Sequence, residues 1–309
     1  MENNKTLQDA NENEQEGDSD MSVCWLFCKC KPNYFDAVTS FERAADLYHQ
    51  CNRFQEEIRC RERAVVCNRA LGECWKEGMN HEKIANIYLV NFSKFDDAVR
   101  SIENAHVAYR SKGEYKDSMN CLLKISKIFR DMNQMEHALK CMKVAFDFCI
   151  QTSGMNSGRE EDSIFTFYNV FEFYSVLLFI NENYKEALGA ANNFTKSIFS
   201  EKYQSKLMKC HGIIVICNLI LEDFDANNTV FEGNYNDDSG IISDMQTLHG
   251  AYVNGEKGGF NDALRNISMN YDNIIIKRLN DNFIEFSKKK RDMEVYVVKD
   301  EESFTDKMR

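Results

Sequence analysis

Proline is almost missing from this chain: the 309 residues hold one, Pro32. A proline ring blocks helix interiors and marks loops, so its absence after position 32 predicts long helices joined by short turns. It also leaves residues 33–309 without a proline-rich linker, and so without an obvious domain cut. Long apolar runs are missing too. No stretch reaches the roughly 18 apolar residues that a membrane-spanning helix needs. The nearest, Ile164 to Ile180, is interrupted by Asn169 and Glu172 and reads as a buried, aromatic-rich helix. A basic excess is missing as well, since the net charge is −11. That argues against a nucleic-acid partner, which calls for a basic field. The charge is uneven: residues 1–20 hold seven acids and one lysine, and the remainder is only mildly acidic, with room for local basic patches.

Twelve cysteines are present, but the polar, acidic Met1–Asp20 does not read as a signal peptide. Reduced thiols acting as small buried apolar groups are therefore expected. Cys60, Cys67 and Cys74 recur every seven residues, the spacing of one helical stripe. Cys24, Cys28 and Cys30 lie closer together, yet no Cys or His pair at zinc-ligand spacing follows them. The six histidines are scattered, and His106 is expected on an exposed helix face. Gly258-Gly259 is read as a turn, and there is no phosphate-binding glycine loop, nucleophile elbow or Cys/His signature. A non-enzyme without cofactor or metal is the expectation.

What the chain does have is a repeat. A large apolar residue, two polar ones and Ala recur as Tyr34-Phe35-Asp36-Ala37, Phe95-Asp96-Asp97-Ala98, Met135-Glu136-His137-Ala138, Tyr184-Lys185-Glu186-Ala187 and Phe260-Asn261-Asp262-Ala263. Downstream of each of the first three Ala, positions +4, +7 and +11 are Phe41, Ala44 and Tyr48; Ile102, Ala105 and Tyr109; and Met142, Ala145 and Cys149. These offsets mark one helix face. Small Ala lets a neighbouring helix approach, and the large residue at +11 fills the far end. Intermediate helices begin at Phe54 and Tyr115, so a helix with its turn takes about 20 residues. Turns are expected at Asn52-Arg53, Lys112 to Glu114, Asn133-Gln134 and Thr152 to Arg159. The predicted fold is all-α, a tetratricopeptide-like right-handed superhelix of antiparallel hairpins with a C-terminal helical bundle, roughly a dozen helices in all. Its predicted parts are a disordered acidic tail over 1–22, a helical body over 23–285 and a charged tail over 286–309.

Lys29-Cys30-Lys31-Pro32-Asn33-Tyr34-Phe35-Asp36-Ala37 resembles the Lys-x-Lys-Pro-x-Tyr-x-x-Ala segment of the gamma branch of the soluble NSF attachment protein (SNAP) family. Ala44-Ala45 followed by Cys51 to Phe54, Arg61 to Val65, Asn68 to Leu71, and Asn270 to Leu279 extend the likeness. The chain departs from that family in four places. The helix upstream of the Lys-x-Lys-Pro segment looks shortened or lost, Glu57 stands where the repeat wants Ala, the stretch between Phe54 and the anchor near Cys74 is short by about three residues, and Lys288–Arg291 has no counterpart.

The resemblance implies a cytoplasmic adaptor, peripheral on membranes, that binds a SNARE four-helix bundle and recruits the hexameric NSF ATPase. Arg59, Arg63, Lys124, Lys127, Lys140 and Lys143 would meet the acidic bundle. Asp300, Glu301, Glu302, Asp306 and Met308 would meet the ATPase, and Trp25, Leu26 and Phe27 would make weak membrane contact. A general scaffold that binds peptide tails remains the alternative.

Overall fold

The computed structural model describes residues 2–22, 31–152, 160–197, 203–233 and 240–307. Among the described residues there are fourteen helices and no strand. The first seven are α1 (Glu2–Met21), α2 (Tyr34–Gln50), α3 (Phe54–Leu71), α4 (Cys74–Val90), α5 (Phe95–Ser111), α6 (Tyr115–Asp131) and α7 (Met135–Thr152). They are followed by α8 (Glu160–Ile180), α9 (Tyr184–Ser197), α10 (Gln204–Ile220), α11 (Ala226–Phe231), α12 (Ile241–Asn254), α13 (Lys257–Ile267) and α14 (Asn273–Lys307).

Helix starts at 34, 54, 74, 95, 115 and 135 keep the 20-residue step read from the sequence. The turns explain the regularity. Asn52, Gly72, Ser93, Gly113 and Asn133 all take positive φ, between 51° and 77°. A left-handed residue there ends the helix and reverses the chain. The next residue's N–H then bonds back to the carbonyl of Tyr48, Asn68, Tyr88, Tyr109 or Phe129, at 2.7–3.1 Å. Tyr48, Tyr109 and Phe129 are the large residues at +11, so one position both fills the core and supplies the turn's acceptor. The repeat's other positions are closed as well. Ala37, Ala98, Ala138 and Ala187 are fully buried, and so are Phe41, Leu122, Met142, Ala44, Ala105 and Ala145. Burying each large side chain contributes roughly 1.5–3 kcal/mol.

By contacts the chain forms two compact units. One is Met1–Ala145 with Arg159–Phe167, the other Phe146–Gly158 with Tyr168–Arg309. In the first unit each helix packs on its sequence neighbour, and side chains also link alternate helices. Glu14 reaches from α1 to Arg59 of α3, Glu42 from α2 to Asn80 of α4, Glu82 from α4 to Lys124 of α6, and Glu103 from α5 to Lys140 of α7. Odd and even helices therefore lie in two layers. The second unit holds an aromatic cluster in which Phe260 stacks on Phe283 with centroids 3.7 Å apart, and Tyr252 on Phe286 at 5.1 Å. From Tyr168 to Phe179, α8 is the buried aromatic stretch expected, with Glu172 as its exposed break.

Several expectations are corrected. Residues 2–21, expected to be disordered, form α1. Its stripe of Leu7, Ala10, Glu14, Gly17 and Met21 is too polar to register as amphipathic, but Ala10 is fully buried and Glu14 finds cationic partners. Residues 286–307, expected to be a tail, continue α14 as helical backbone. The cysteine stripe breaks, because Gly72 ends α3 and Cys74 opens α4. His106 is buried, with only 4% exposure, since α5 is covered on more than the +4/+7/+11 face. Its Nδ1 lies 2.8 Å from the hydroxyl of Ser118, the residue α6 carries in place of Ala. Phe260 sits one turn inside α13 rather than at its start.

Candidate interaction surfaces

The first two predicted contact residues, Arg59 and Arg63, stand one turn apart on α3 and face α1. The Arg59 guanidinium forks onto both oxygens of Glu14, at 2.8 and 2.7 Å, and Arg63 pairs with Asp18. Carboxylates four residues apart thus meet arginines four residues apart. The Tyr48 hydroxyl donates to Glu14 at 2.8 Å and also lies 2.6 Å from Asn11 Oδ1. Burial alone would raise the Glu14 carboxyl, but the bonds from Arg59 and Tyr48 outweigh it and hold the pKa below the usual range. Beside it, burial and then the Glu14 charge push the Cys60 thiol up to about 12. Gly17 completes the fit, because a Cβ there would lie 2.7 Å from the Phe41 ring.

A related arrangement recurs three helices later. Glu82 of α4 accepts from the Tyr109 hydroxyl of α5 at 2.6 Å and faces Lys124 of α6 at 4.0 Å. Gly78 gives Tyr109 the same close approach that Gly17 gives Phe41. The four predicted lysines are exposed, but they do not share one layer. Lys124 and Lys127 belong to α6, and Lys124 is drawn toward α4. Lys140 and Lys143 belong to α7, and Lys140 is drawn toward Glu103 of α5 at 3.9 Å.

Sequence reasoning missed a polar seam inside α2–α4. Glu57, the supposed departure from Ala, is almost fully buried and binds His49 Nδ1 at 2.8 Å. Arg61, also buried, donates Nε and Nη2 to Glu57 and reaches Asp46 at 3.0 Å. Twenty residues on, Glu77 takes a two-pronged bond from Arg69 at 2.9 and 2.6 Å. The signal was present in the repeat itself: Glu57 and Glu77 hold the Ala register, each with a basic residue eight positions before it.

In the second unit, the unplaced Lys288–Arg291 run ties α14 down. Lys290 donates to the Val253 carbonyl in the last turn of α12 at 3.0 Å, and Lys289 lies 3.4 Å from Glu222. A cation at a helix C-terminus meets the negative end of its dipole. A shallow cleft opens between Tyr168, Glu172, Lys209 and Asp272. Asp300, Glu301, Glu302 and Asp306 lie on the helical backbone of α14. Met308, the apolar trio Trp25, Leu26 and Phe27, and the close cysteines Cys24, Cys28 and Cys30 fall outside the described residues. No described helix is long and apolar enough to cross a membrane.

No family profile matches the chain. Among solved structures, a kinesin light chain with TPR-like repeats from Podosopora anserina shares 10% identity at a TM-score of 0.34, covering 68% of this chain and 95% of that one. BtubC (BKLC) of P. vanneervenii shares 12% at 0.35, covering 82% and 94%. Among curated proteins, the chain is similar to the soluble NSF attachment protein homolog of fowlpox virus (strain NVSL), with 29% identity over 108 residues. That match spans 35% of this chain and 38% of the viral protein, so the likeness to a SNAP homolog is partial.

Proposed function

We propose that this chain is a SNAP-type adaptor of the gamma kind, which binds a SNARE bundle and recruits the NSF ATPase without catalysing a reaction itself. The observation that carries this reading is the 108-residue likeness to a protein named as a soluble NSF attachment protein homolog. The regular helical array supports it, because stacked hairpins offer an extended surface suited to a long partner. Exposed Lys124, Lys127, Lys140 and Lys143 supply positive charge for an acidic bundle, and such charge chiefly speeds encounter. The acidic residues of α14 from Asp300 onward would meet a basic surface of the ATPase. Trp25, Leu26 and Phe27 would add weak membrane contact, which makes the protein peripheral on a membrane.

The test is recruitment of the hexameric ATPase to an immobilised SNARE bundle, with and without this protein, at low and moderate salt. Recruitment that falls with salt and disappears on deleting Asp306–Arg309, while bundle binding persists, is the expected result. Absence of recruitment by the folded protein at every salt concentration would refute the adaptor reading in favour of a peptide-binding scaffold.

A further inference from the structure

The acidic helix α1 is a weak helix held by strong partners. It carries seven acids and one lysine, and no basic residue lies in its last turn. Glu16, Asp18 and Asp20 instead crowd the negative end of the helix dipole, and Gly17 lowers helix propensity in the same turn. Few apolar side chains anchor it: Ala10 is buried, while Leu7 and Met21 are only partly so. What holds it is the pair of arginines, the Tyr48 hydroxyl and the close approach at Gly17. Among the described helices it packs on α2 and, through the two arginines, on α3, so its release parts no other described pair. Its departure would uncover a groove of Phe41, Ala44, Ala45, Cys60 and Cys67, flanked by Arg59 and Arg63, and such a surface calls for another occupant.

We infer that α1 is a releasable internal ligand, and that the α2–α3 groove beneath it receives an acidic helix of a partner protein with carboxylates four residues apart. Charge complementarity identifies that partner's chemistry, since the Arg59–Glu14 and Arg63–Asp18 contacts set the spacing it must present. The inference does not rest on the identity of the bundle or of the ATPase proposed above.

The experiment uses the full chain and two readouts. Release of α1 is followed by alkylation of native Cys60, which α1 covers, with buried Cys121 on α6 as the internal control. Groove binding is followed with a fluorescent peptide of residues 2–21. Raising salt, or making Glu14→Gln with Asp18→Asn, should speed Cys60 alkylation about ten-fold and leave Cys121 slow. The same variant should bind the peptide about ten-fold tighter than wild type, because an occupied groove taxes apparent affinity by the fraction that is open. Arg59→Glu with Arg63→Glu should abolish peptide binding. Unchanged Cys60 alkylation would show a fixed helix and overturn the inference. Equal acceleration of Cys121, or faster Cys60 alkylation without peptide binding, would overturn it equally.

Discussion

Arg61 places Nε and Nη2 on a single oxygen of Glu57, at 2.8 and 2.6 Å, with both side chains 5% exposed or less. Removing Glu57 leaves buried Arg61 with only the exposed Asp46 carboxylate, and breaking a buried pair from one side costs about 3–5 kcal/mol. Glu57→Ala should therefore destabilise the first unit by that order, even though Ala is the residue the repeat prefers. Glu57→Ala combined with Arg61→Leu should recover most of the loss. Urea titration of the four chains of this double-mutant cycle checks it, and a near-neutral Glu57→Ala would show that the pair is dispensable.

Two glycines inside helices should respond in opposite directions to the same change. Gly189→Ala meets nothing within 4 Å and should stabilise by up to about 1 kcal/mol through helix propensity. Gly17→Ala has the same intrinsic gain, but its Cβ would press on the Phe41 ring at 2.7 Å, and overpacking costs about 1–3 kcal/mol. Amide exchange across residues 7–21 should accelerate in Gly17→Ala, while the thermal midpoint rises in Gly189→Ala.

In the second unit a Cβ on Gly212 would collide with the Tyr271 hydroxyl, which donates to the Lys209 carbonyl at 3.2 Å. Gly212→Ala must displace that ring and should cost about 1–3 kcal/mol. Tyr271→Phe in the same chain removes the clashing oxygen and should return part of the loss. A denaturation midpoint that fails to improve in the double variant would place the strain elsewhere.

Stability should decline on mild acidification. Burial lowers the pKa of His211 to about 4, and it also lowers His81 and His106 from 6.5. At His81, Arg69 lowers and Glu77 opposes, and at His106, Arg110 lowers while the Ser118 carbonyl opposes. These imidazoles take protons in the unfolded chain before they do in the folded one. Their contribution is complete above the ordinary histidine range and drains as pH falls below it toward the folded values. Glu14, held low by its partners, adds a later loss as pH drops through the carboxylate range. Urea midpoints at pH 7.5, 6.5 and 5.5 should fall stepwise, and His211→Gln should flatten that slope. A flat profile in the unsubstituted protein would contradict the assignment.

The helical array was legible because its period is local. Each step closes within about 20 residues through a left-handed turn residue, and the +4, +7 and +11 stripe of one helix needs only 3.6 residues per turn to be seen. The cationic contacts were legible as residue types but not as a surface. Arg59 and Arg63 were read as open to a partner, whereas 45 residues separate each from the carboxylate it meets. Hydropathy also misjudged α1, since a helix that docks through Ala10, Glu14 and Gly17 offers little apolar signal.

By itself, then, the sequence determined the helices, their turns and the Ala-lined faces, because backbone propensity and short-range spacing act within a single hairpin. Only the tertiary structure decided which charges are spent inside the molecule. Whether Glu57, His106 or Arg63 meets water or a partner depends on what another helix brings within about 3 Å, and hydrogen bonds and ion pairs at that range are blind to separation along the chain.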